Sequence, residues 1–327
     1  MTSPPAPSER NDMHCPICSA PVLPGDVFCE ACGHRLDGLD GTEAGGPSRR
    51  VPADHVEIDL GHDVAAVSDR GLRHATNQDG MAVAVTPAGV LAVVADGVSA
   101  SPRPEEASRA AADTGLAVLA AELEAGADPR DATRTAALAA AKAVASLTDD
   151  KTSAPACTYI SAVAGRYGDR DVITLGWIGD SRAYWVGATG DELLTEDDSW
   201  AEWVVAHGMM SEEEAYADRR AHMLVGWMGA DAREIDVHVR VYEPEVPGVL
   251  IVCTDGLWNY LASPIAMAAA VADPLADPVS GPLTGPRGKR RTPLSVAREL
   301  VRTALHAGGH DNITVAVVPV EADGLDL

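Results

Sequence analysis

Residues 80–97 read GMAVAVTPAGVLAVVADG and contain two valine-rich apolar runs. The short turn between them, around residues 86–89, leaves no room for a helical crossover, so the two runs are predicted to pair as an antiparallel hairpin. The second run ends at Asp96 and is followed at once by Gly97. A strand of small apolar residues therefore delivers a carboxylate to the end of a hairpin.

Further strand signals follow along the chain from about His55. The series between residues 158 and 186 is again too closely spaced for helical crossovers, which predicts antiparallel neighbours. Two alanine-rich helices fit between Glu105 and Leu147. Strands in hairpins that are interleaved with helix pairs predict an α+β domain, in which two sheets pack together with helices outside.

Capping residues predict where three of the helices begin. Asp128 at the N-cap, with proline at N1, starts the second alanine-rich helix. Ser211 with Glu214 has the spacing of a capping box. Thr292 opens a last helix, which is predicted to stop at a Gly-Gly pair.

Composition excludes several classes of function. The 327 residues include 25 Lys and Arg against 49 Asp and Glu, so the formal net charge is −24. Because nucleic-acid binding requires clustered basic residues, this balance disfavours it, and an aromatic content of 4% disfavours base stacking. No apolar run approaches the ~18 residues of a membrane helix, and no G-x-G-x-x-G or P-loop sequence supports a nucleotide site. We expect a cytoplasmic protein that binds neither nucleic acid nor membranes.

Four of the six cysteines form two close pairs, Cys15-x2-Cys18 and Cys29-x2-Cys32. Two such pairs supply the four thiolates of a tetrahedral zinc site, whose binding provides folding free energy on the order of 10–16 kcal/mol. Residues 14–36 are thus predicted to form a zinc ribbon; a redox pair or two disulfides are the alternatives. A segment rich in Gly, Pro and acids at 37–54 predicts a flexible linker to a main domain at 55–322.

The zinc ribbon is predicted to contact protein rather than nucleic acid. Residues 1–50 carry four Arg and seven acids, a charge of −3, which is a poor surface for phosphates. The remaining −21 belongs to the rest of the chain. The last two cysteines, Cys157 and Cys253, stand alone in apolar stretches and are expected to be buried thiols in a reducing compartment.

Aspartate recurs at predicted strand ends throughout the main domain. One Asp-Gly pair is typical of an ordinary turn. Several buried strands that deliver carboxylates to one rim predict a cation site instead, because clustered acids repel unless a cation or proton relieves them. Oxygen ligands favour Mg²⁺ or Mn²⁺, and two such ions suit in-line attack on phosphorus. The aspartates in this pattern are Asp69, Asp96, Asp180, Asp255 and Asp311.

Six ordered motifs extend this pattern. They are Ser68-Asp69-Arg70-Gly71 through Asn77-Gln78-Asp79, Val94-Ala95-Asp96-Gly97, Ile178-Gly179-Asp180-Ser181-Arg182-Ala183-Tyr184, Leu194-Thr195-Glu196-Asp197, Cys253-Thr254-Asp255-Gly256-Leu257 and Gly309-His310-Asp311-Asn312-Ile313-Thr314. In this order they resemble the motifs of PP2C-type (PPM) metal-dependent Ser/Thr protein phosphatases, over approximately residues 58–320. The resemblance implies a four-layer α-β-β-α sandwich, hydrolysis of phosphoserine and phosphothreonine by a metal-bridging hydroxide, and phosphorylated substrates of a Ser/Thr kinase as partners.

The resemblance also implies roles for the residues that match its motifs. Asp96 would bridge two Mn²⁺ or Mg²⁺ ions, and the Gly97 carbonyl would help to hold one of them. Asp255 and Asp311 would bind the other ion. Asp79 would anchor metal-bound water.

Asp180 would lie at a third, weaker metal site, near which His222 is either a further ligand or an ordinary surface histidine. The sequence departs from the family pattern at two positions, with His74 in place of arginine and Gln78 in place of glutamate. Arg73, one residue earlier, is predicted to supply the phosphate-binding charge. Gln78 can still accept a hydrogen bond from metal-bound water, so weaker metal binding is expected.

The general acid is not assigned by the sequence. Many family members carry Gly and then His after the Asp-Gly pair, whereas this chain continues with Val98 and Ser99. His74 and a metal-bound water are the two candidates. These departures leave an alternative function open, a catalytically weakened PP2C-like regulatory protein that binds phosphoproteins.

Two segments outside the motifs are candidates for partner contacts. Trp200 and Trp203 lie in what resembles the family's flap, where either substrate selection or ordinary packing explains them. The segment at 271–292 is rich in Pro and Gly, which indicates either a mobile surface loop or a docking site for acidic partners. Its basic residues are Arg287, Lys289, Arg290 and Arg291.

Overall fold

The computed structural model describes residues 54–232, 235–272 and 291–320, together with two short strands near the N-terminus. The chain divides into two compact units, Met1–Arg49 and Arg50–Leu327. In the first unit, β1 (Met13–His14) and β2 (Pro21–Val22) pair antiparallel. The four cysteines predicted to bind zinc, and the predicted linker up to residue 53, lie outside the described residues.

The second unit is built from strands that assemble into two antiparallel sheets. Its strands are β3 (His55–Asp59), β4 (Ala65–Asp69), β5 (Gly80–Thr86), β6 (Gly89–Ala95), β7 (Ala156–Cys157), β8 (Tyr159–Tyr167), β9 (Arg170–Ile178), β10 (Arg182–Gly187), β11 (Gly190–Leu193), β12 (Met228–Gly229), β13 (His238–Tyr242), β14 (Gly248–Cys253) and β15 (Ile313–Val320). One sheet has the order β11-β10-β14-β15-β4-β3, the other β13-β9-β8-β6-β5, and β7 pairs with β12. The strand pairs are antiparallel, as predicted, and Thr86 lies opposite Gly89 in the hairpin.

Helices cover the outer faces of both sheets. They are α1 (Pro104–Glu124), α2 (Pro129–Ala145), α3 (Trp200–Ala206), α4 (Glu212–Tyr216), α5 (Asp255–Trp258), α6 (Pro264–Val271) and α7 (Pro293–His306). The first two pack on the five-stranded sheet, and α6 and α7 pack on the six-stranded sheet. The three predicted helix starts are confirmed, because Asp128, Ser211 and Thr292 each accept a hydrogen bond from a backbone N–H of the first helical turn.

Apolar side chains of the two sheets meet in a central core. Ile160 and Leu175 of the five-stranded sheet, and Trp185, Leu250 and Val318 of the six-stranded sheet, are each at most 2% exposed. A second core lies between the six-stranded sheet and its helices, and others lie under the alanine-rich faces of α1 and α2. The layers therefore run helix, sheet, sheet, helix, which confirms the predicted α-β-β-α sandwich.

Two findings bear on the predicted environment of the chain. Among the helices that the structure describes, none is long and apolar enough to cross a membrane. Cys157 and Cys253 are buried, unpaired thiols, as predicted, and burial raises the pKa of both. The cytoplasmic location stays a prediction.

Candidate active site

Five aspartates come together where the ends of the two sheets meet. Asp79 precedes β5, Asp96 follows β6, and Asp180 follows β9 in the five-stranded sheet; Asp255 follows β14 and Asp311 precedes β15 in the six-stranded sheet. The Asp96 carboxyl interacts electrostatically with the other four. The fold thus gathers the five carboxylates that the sequence suggests as metal ligands, and we refer to them as the aspartate cluster.

The aspartate cluster disfavours the ionised form of its own members. Burial first, and then neighbouring carboxylates, raise the pKa of Asp79 to about 8 and that of Asp255 to about 7. The same causes raise the pKa of Asp96 and of Asp180 well above the usual range. The negative charge of Asp255 is among the causes that raise the pKa of Asp96, so protonation of one member of the cluster relieves its neighbours. A bound cation would remove the need for that proton.

Two oxygen atoms show that the aspartate cluster fits a cation. Asp79 Oδ1 and Asp255 Oδ1 are buried and have no hydrogen-bond partner among the described residues. A buried carboxylate oxygen without a donor is costly unless an ion or water satisfies it. In the described ranges, no group of three or more His, Cys, Asp or Glu side chains is positioned to hold a metal ion by itself, so an ion at the aspartate cluster would need water among its ligands. Such an open set of carboxylates suits Mg²⁺, which keeps several water ligands, and Mn²⁺, which prefers similar donors.

Polar groups of the neighbouring strand ends hold two of these carboxylates. Thr254 Oγ1 donates to Asp79 Oδ2 at 3.0 Å. Asn259 Nδ2 donates to Asp255 Oδ2 at 3.2 Å. In both cases the second oxygen is the unpartnered one. Each carboxylate is therefore oriented by one oxygen and presents the other to an ion.

Close backbone packing requires glycine at two places in the site. A Cβ on Gly97 would lie 2.5 Å from the carbonyl oxygen of Gln78, and one on Gly256 would lie 1.8 Å from the carbonyl oxygen of Asn312. Real Cβ atoms do not approach backbone oxygens so closely. The backbone of Gly97, whose carbonyl is a candidate ligand, thus packs directly on the loop between β4 and β5.

Asn312 ties that loop to the start of β15, a role that the sequence did not assign. Its Oδ1 accepts from the Gln78 N–H at 2.7 Å, and its Nδ2 donates to the carbonyls of Arg70 at 2.7 Å and Thr76 at 3.1 Å. The side chain satisfies three backbone groups of one loop while it is only 2% exposed. The signal in the sequence that could have indicated this role is an amide side chain directly after Asp311, at the start of a buried strand.

The two residues predicted to handle phosphate and proton lie on the same loop. His74 Nε2 is 3.1 Å from Asp311 Oδ1. Arg73 lies close to His310, whose pKa is lowered first by burial and then by the Arg73 charge. The His74 side chain is therefore next to the Asp311 end of the aspartate cluster, and the charge of Arg73 acts on His310, the residue before Asp311.

Two of the three places where the chain departs from the family pattern, Gln78 and the segment after Asp96-Gly97, contact each other. Ser99, which stands in the segment after Asp96-Gly97, donates from Oγ to Gln78 Oε1 at 2.7 Å. An amide oxygen has two lone pairs, so only one is left for a water molecule. No role for Ser99 is predicted from the sequence, whereas in the structure its hydroxyl orients the Gln78 amide.

A family model matches most of the domain that carries this site. The model described as Protein phosphatase 2C matches residues 72–282. The chain belongs to the protein phosphatase 2C family. None of the curated proteins matches it in sequence.

Solved protein phosphatase 2C relatives are similar over almost their whole length. The serine/threonine phosphatase PstP/Ppp of Mycobacterium tuberculosis is 26% identical, with a TM-score of 0.62 over 80% of this chain and 100% of that chain. The PPM Ser-Thr phosphatase MsPP of Mycobacterium smegmatis, in complex with cacodylate, is 28% identical. Its TM-score is 0.58, over 78% of this chain and 97% of that chain. The catalytic domain of PstP in complex with two manganese ions is 26% identical. Its TM-score is 0.57, over 79% of this chain and 98% of that chain. This protein phosphatase 2C chain is thus a Ser/Thr phosphatase, and phosphoproteins are its class of substrate.

The flap of this protein phosphatase 2C domain is a small helical unit between β11 and β12. Arg220 lies over the ring of Trp200, 4.0 Å from its centroid, so Trp200 is a packing residue. Trp203 is 42% exposed and therefore keeps much of its surface open to a partner. The helices α3 and α4 share a core of their own, formed by Ala201, Val204, Ala215 and Ala221.

A buried ion pair fixes the backbone at Asp180. Arg182 Nη2 and Asp197 Oδ2 are 2.7 Å apart, and the guanidinium lies over the Trp258 ring at 3.6 Å. Trp258 Nε1 in turn donates to the Asp180 carbonyl at 2.9 Å. His222 is exposed, and its ring centroid lies 6.3 Å from that of Trp258. Its neighbour at this point is therefore an aromatic ring. Because breaking a buried pair leaves an uncompensated charge, this network holds Asp180 firmly in place.

One member of the predicted basic cluster has a structural contact. Arg291 Nη1 donates to the Val271 carbonyl at the end of α6, at 2.6 Å. Arg287, Lys289 and Arg290 lie outside the described residues. A docking role for this cluster stays a prediction.

Proposed function

We propose that the domain removes phosphate from phosphoserine and phosphothreonine with the help of two Mn²⁺ or Mg²⁺ ions and a weaker third ion. The observation that carries this proposal is the aspartate cluster, with its raised pKa values and two unpartnered buried oxygens. Such a cluster is stable in its ionised form only when cations are bound. The PstP catalytic domain, 26% identical, is solved with two manganese ions, which supports the same metal here.

Each aspartate has a proposed part in holding the ions. Asp96 and the Gly97 carbonyl would help to hold the two principal ions together with Asp255 and Asp311. Asp79 would hold water beside them. The ions supply positive charge for the phosphoryl oxygens and lower the pKa of bound water. The weaker third ion is assigned to the remaining carboxylate, Asp180.

Arg73 and His74 are proposed to serve the phosphoryl group and the leaving group. The Arg73 guanidinium neutralises charge that develops on the phosphoryl oxygens. His74, whose Nε2 lies 3.1 Å from Asp311 Oδ1, is placed to donate a proton to the leaving oxygen. Asn312 holds the loop that carries both residues, so the two side chains act from the same end of the aspartate cluster.

Hydrolysis of a phosphothreonine peptide tests this function. We expect release of inorganic phosphate that requires added Mn²⁺ or Mg²⁺ and that stops on addition of EDTA. Release that continues undiminished in EDTA would contradict the metal-dependent mechanism. Peptide binding without turnover at millimolar Mn²⁺ would instead favour the catalytically weakened regulatory protein. The natural substrates are proposed to be the products of a Ser/Thr kinase, since such kinases form these phosphoesters.

We also propose that Cys15, Cys18, Cys29 and Cys32 bind one structural Zn²⁺ and that this ribbon contacts a protein partner. The pairing of β1 with β2 places His14 opposite Pro21, the residues that flank the first cysteine pair in the sequence, which supports the proposal. The purified chain is expected to contain about one zinc per molecule by mass spectrometry of the metal. The double variant Cys15→Ser/Cys29→Ser should contain none, whereas Ser19→Ala should keep it. Equal zinc in the double variant and the wild type would show that the cysteines do not form the site.

A further inference from the structure

A cleft of about 480 Å³ opens beside the aspartate cluster and has no part in the chemistry proposed above. One wall is the loop at residues 98–102, the second is the segment at 152–156, and the third is the segment at 222–231 that follows the flap helices. Its apolar lining includes Ala100, Pro102, Ala154, Met223, Leu224 and Trp227. We call it the 480 Å³ cleft.

The cleft lies where the neighbours of a phosphorylated residue would pass. Val98, one of its lining residues, is only two residues after Asp96, so the two Cα atoms are at most ~7 Å apart. The Val98 N–H donates to the Ala156 carbonyl at 2.9 Å, and Gly97 forms a bridge with Cys157. These bonds tie the inner wall to the sheet end that carries the aspartate cluster. A peptide with its phosphate at that cluster can therefore reach the cleft within a few residues.

The chemistry of the cleft is an apolar floor with an acidic rim. Met223 is 56% exposed on one wall, which leaves a large apolar surface uncovered. Trp227 Nε1 donates to Asp231 Oδ1 at 3.1 Å, which places the carboxylate of Asp231 at the edge of the apolar lining. Asp150, whose carboxylate accepts from the Thr152 N–H at 2.9 Å, adds a second negative charge near the segment at 152–156, although Lys151 lies between the two residues in the sequence. Apolar and basic groups complement these surfaces.

We propose that the 480 Å³ cleft binds a large apolar side chain of the phosphoprotein substrate, a few residues from the phosphorylated residue and next to a basic residue that faces Asp231. The proposal rests on the phosphatase function above and names the sequence preference of the same site. Charge complementarity favours this occupant over a second copy of the chain, whose net charge of −24 an acidic rim repels.

A series of phosphothreonine peptides tests the proposal. In an alanine background, one leucine is moved through roughly four positions on either side of the phosphothreonine, the reach of the cleft from the cluster. Each peptide is assayed with the wild type, with Met223→Ala, and with Ala100→Trp, which fills the cleft. Met209→Ala is the matched control, because Met209 is a flap methionine of similar exposure, 62%, that does not line the cleft. p-Nitrophenyl phosphate, which has no peptide to place in the cleft, reports the chemistry alone.

We expect leucine at one position to raise kcat/KM about fivefold, mainly through KM, since partial burial of a leucine side chain contributes that much. The gain should persist in Met209→Ala, fall in Met223→Ala and disappear in Ala100→Trp, with p-nitrophenyl phosphate turnover unchanged throughout. An arginine next to that leucine should add a gain that salt and Asp231→Asn both remove.

Two different failures are separable in this experiment. If no leucine position is preferred, or if Ala100→Trp keeps the full gain while p-nitrophenyl phosphate is hydrolysed normally, the cleft proposal is wrong and the phosphatase function stands. If the wild type hydrolyses neither peptide nor p-nitrophenyl phosphate in Mn²⁺, the proposed function fails and the cleft proposal fails with it.

Discussion

Replacing Asp96 with asparagine is expected to lower kcat/KM for a phosphothreonine peptide in Mn²⁺ by at least about 10³-fold. Asp96 is the carboxylate that interacts with all four other aspartates of the cluster. The amide removes one negative charge and puts an NH₂ group where a ligand oxygen would be. Metal ions contribute several kcal/mol to stabilising a phosphoryl transition state, and each ~1.4 kcal/mol lost is a factor of ten in rate. Phosphate release at saturating Mn²⁺ measures the effect, and calorimetry measures the loss of Mn²⁺ affinity.

The matched control is Asp113→Asn on the exposed face of α1. It removes the same charge far from the aspartate cluster in the sequence and should change kcat/KM by no more than about twofold, as is usual for surface substitutions. A folded Asp96→Asn protein with wild-type activity would show that the reaction does not use this cluster.

The strand pairing and helix starts could be predicted because they depend on neighbours in the sequence. The hairpin of β5 and β6 follows from a turn too short for a crossover, and the N-cap of α2 follows from Asp128 and the proline after it. The order of strands in each sheet could not be predicted in this way. Ile313 lies opposite Asp69 because β15 returns to pair with β4, and no local pattern specifies that pairing.

The same distinction between local signals and tertiary contacts applies to the residues of the candidate site. Four of its aspartates, Asp96, Asp180, Asp255 and Asp311, are visible in the sequence because each stands at the end of a predicted strand, whereas Asp79 is predicted only from the family resemblance. Asp69 also stands at a strand end, but its Oδ2 lies 2.7 Å from His55 Nδ1. The groups that orient them are not visible, because Thr254 reaches Asp79 and Asn312 reaches Gln78 only after the two sheets have packed. The contact between Ser99 and Gln78 is of the same kind. The sequence therefore predicts the charges of the site, whereas their orientation depends on tertiary contacts.

Protons and Mn²⁺ compete for the same carboxylates, so the metal-free protein is expected to lose stability as the pH rises. The pKa of Asp79 is raised to about 8 and that of Asp255 to about 7, whereas an unfolded aspartate has a pKa of about 3.9. Between these values the folded state holds more protons than the unfolded state. The free energy of unfolding therefore decreases as the pH rises from about 4 to about 8.

Added Mn²⁺ should reverse this loss, most strongly at high pH. At pH 8 the ion displaces few protons from the carboxylates. A Mn²⁺ concentration of about 100 times Kd then stabilises the fold by about 2.7 kcal/mol, which raises Tm by ~5–10 °C. At pH 5.5 the gain in Tm should be smaller, because the ion must displace more protons. Thermal unfolding of EDTA-treated and Mn²⁺-loaded protein measures both effects. The raised pKa values of His55 and His238 act in the same direction, so Asp96→Asn is the comparison that isolates the aspartate cluster. That variant should show a shallower pH dependence without metal and a smaller gain with Mn²⁺. A metal-free Tm that rises with pH across this range would mean that the carboxylates are already ionised, and therefore that they do not form a cluster that needs a cation.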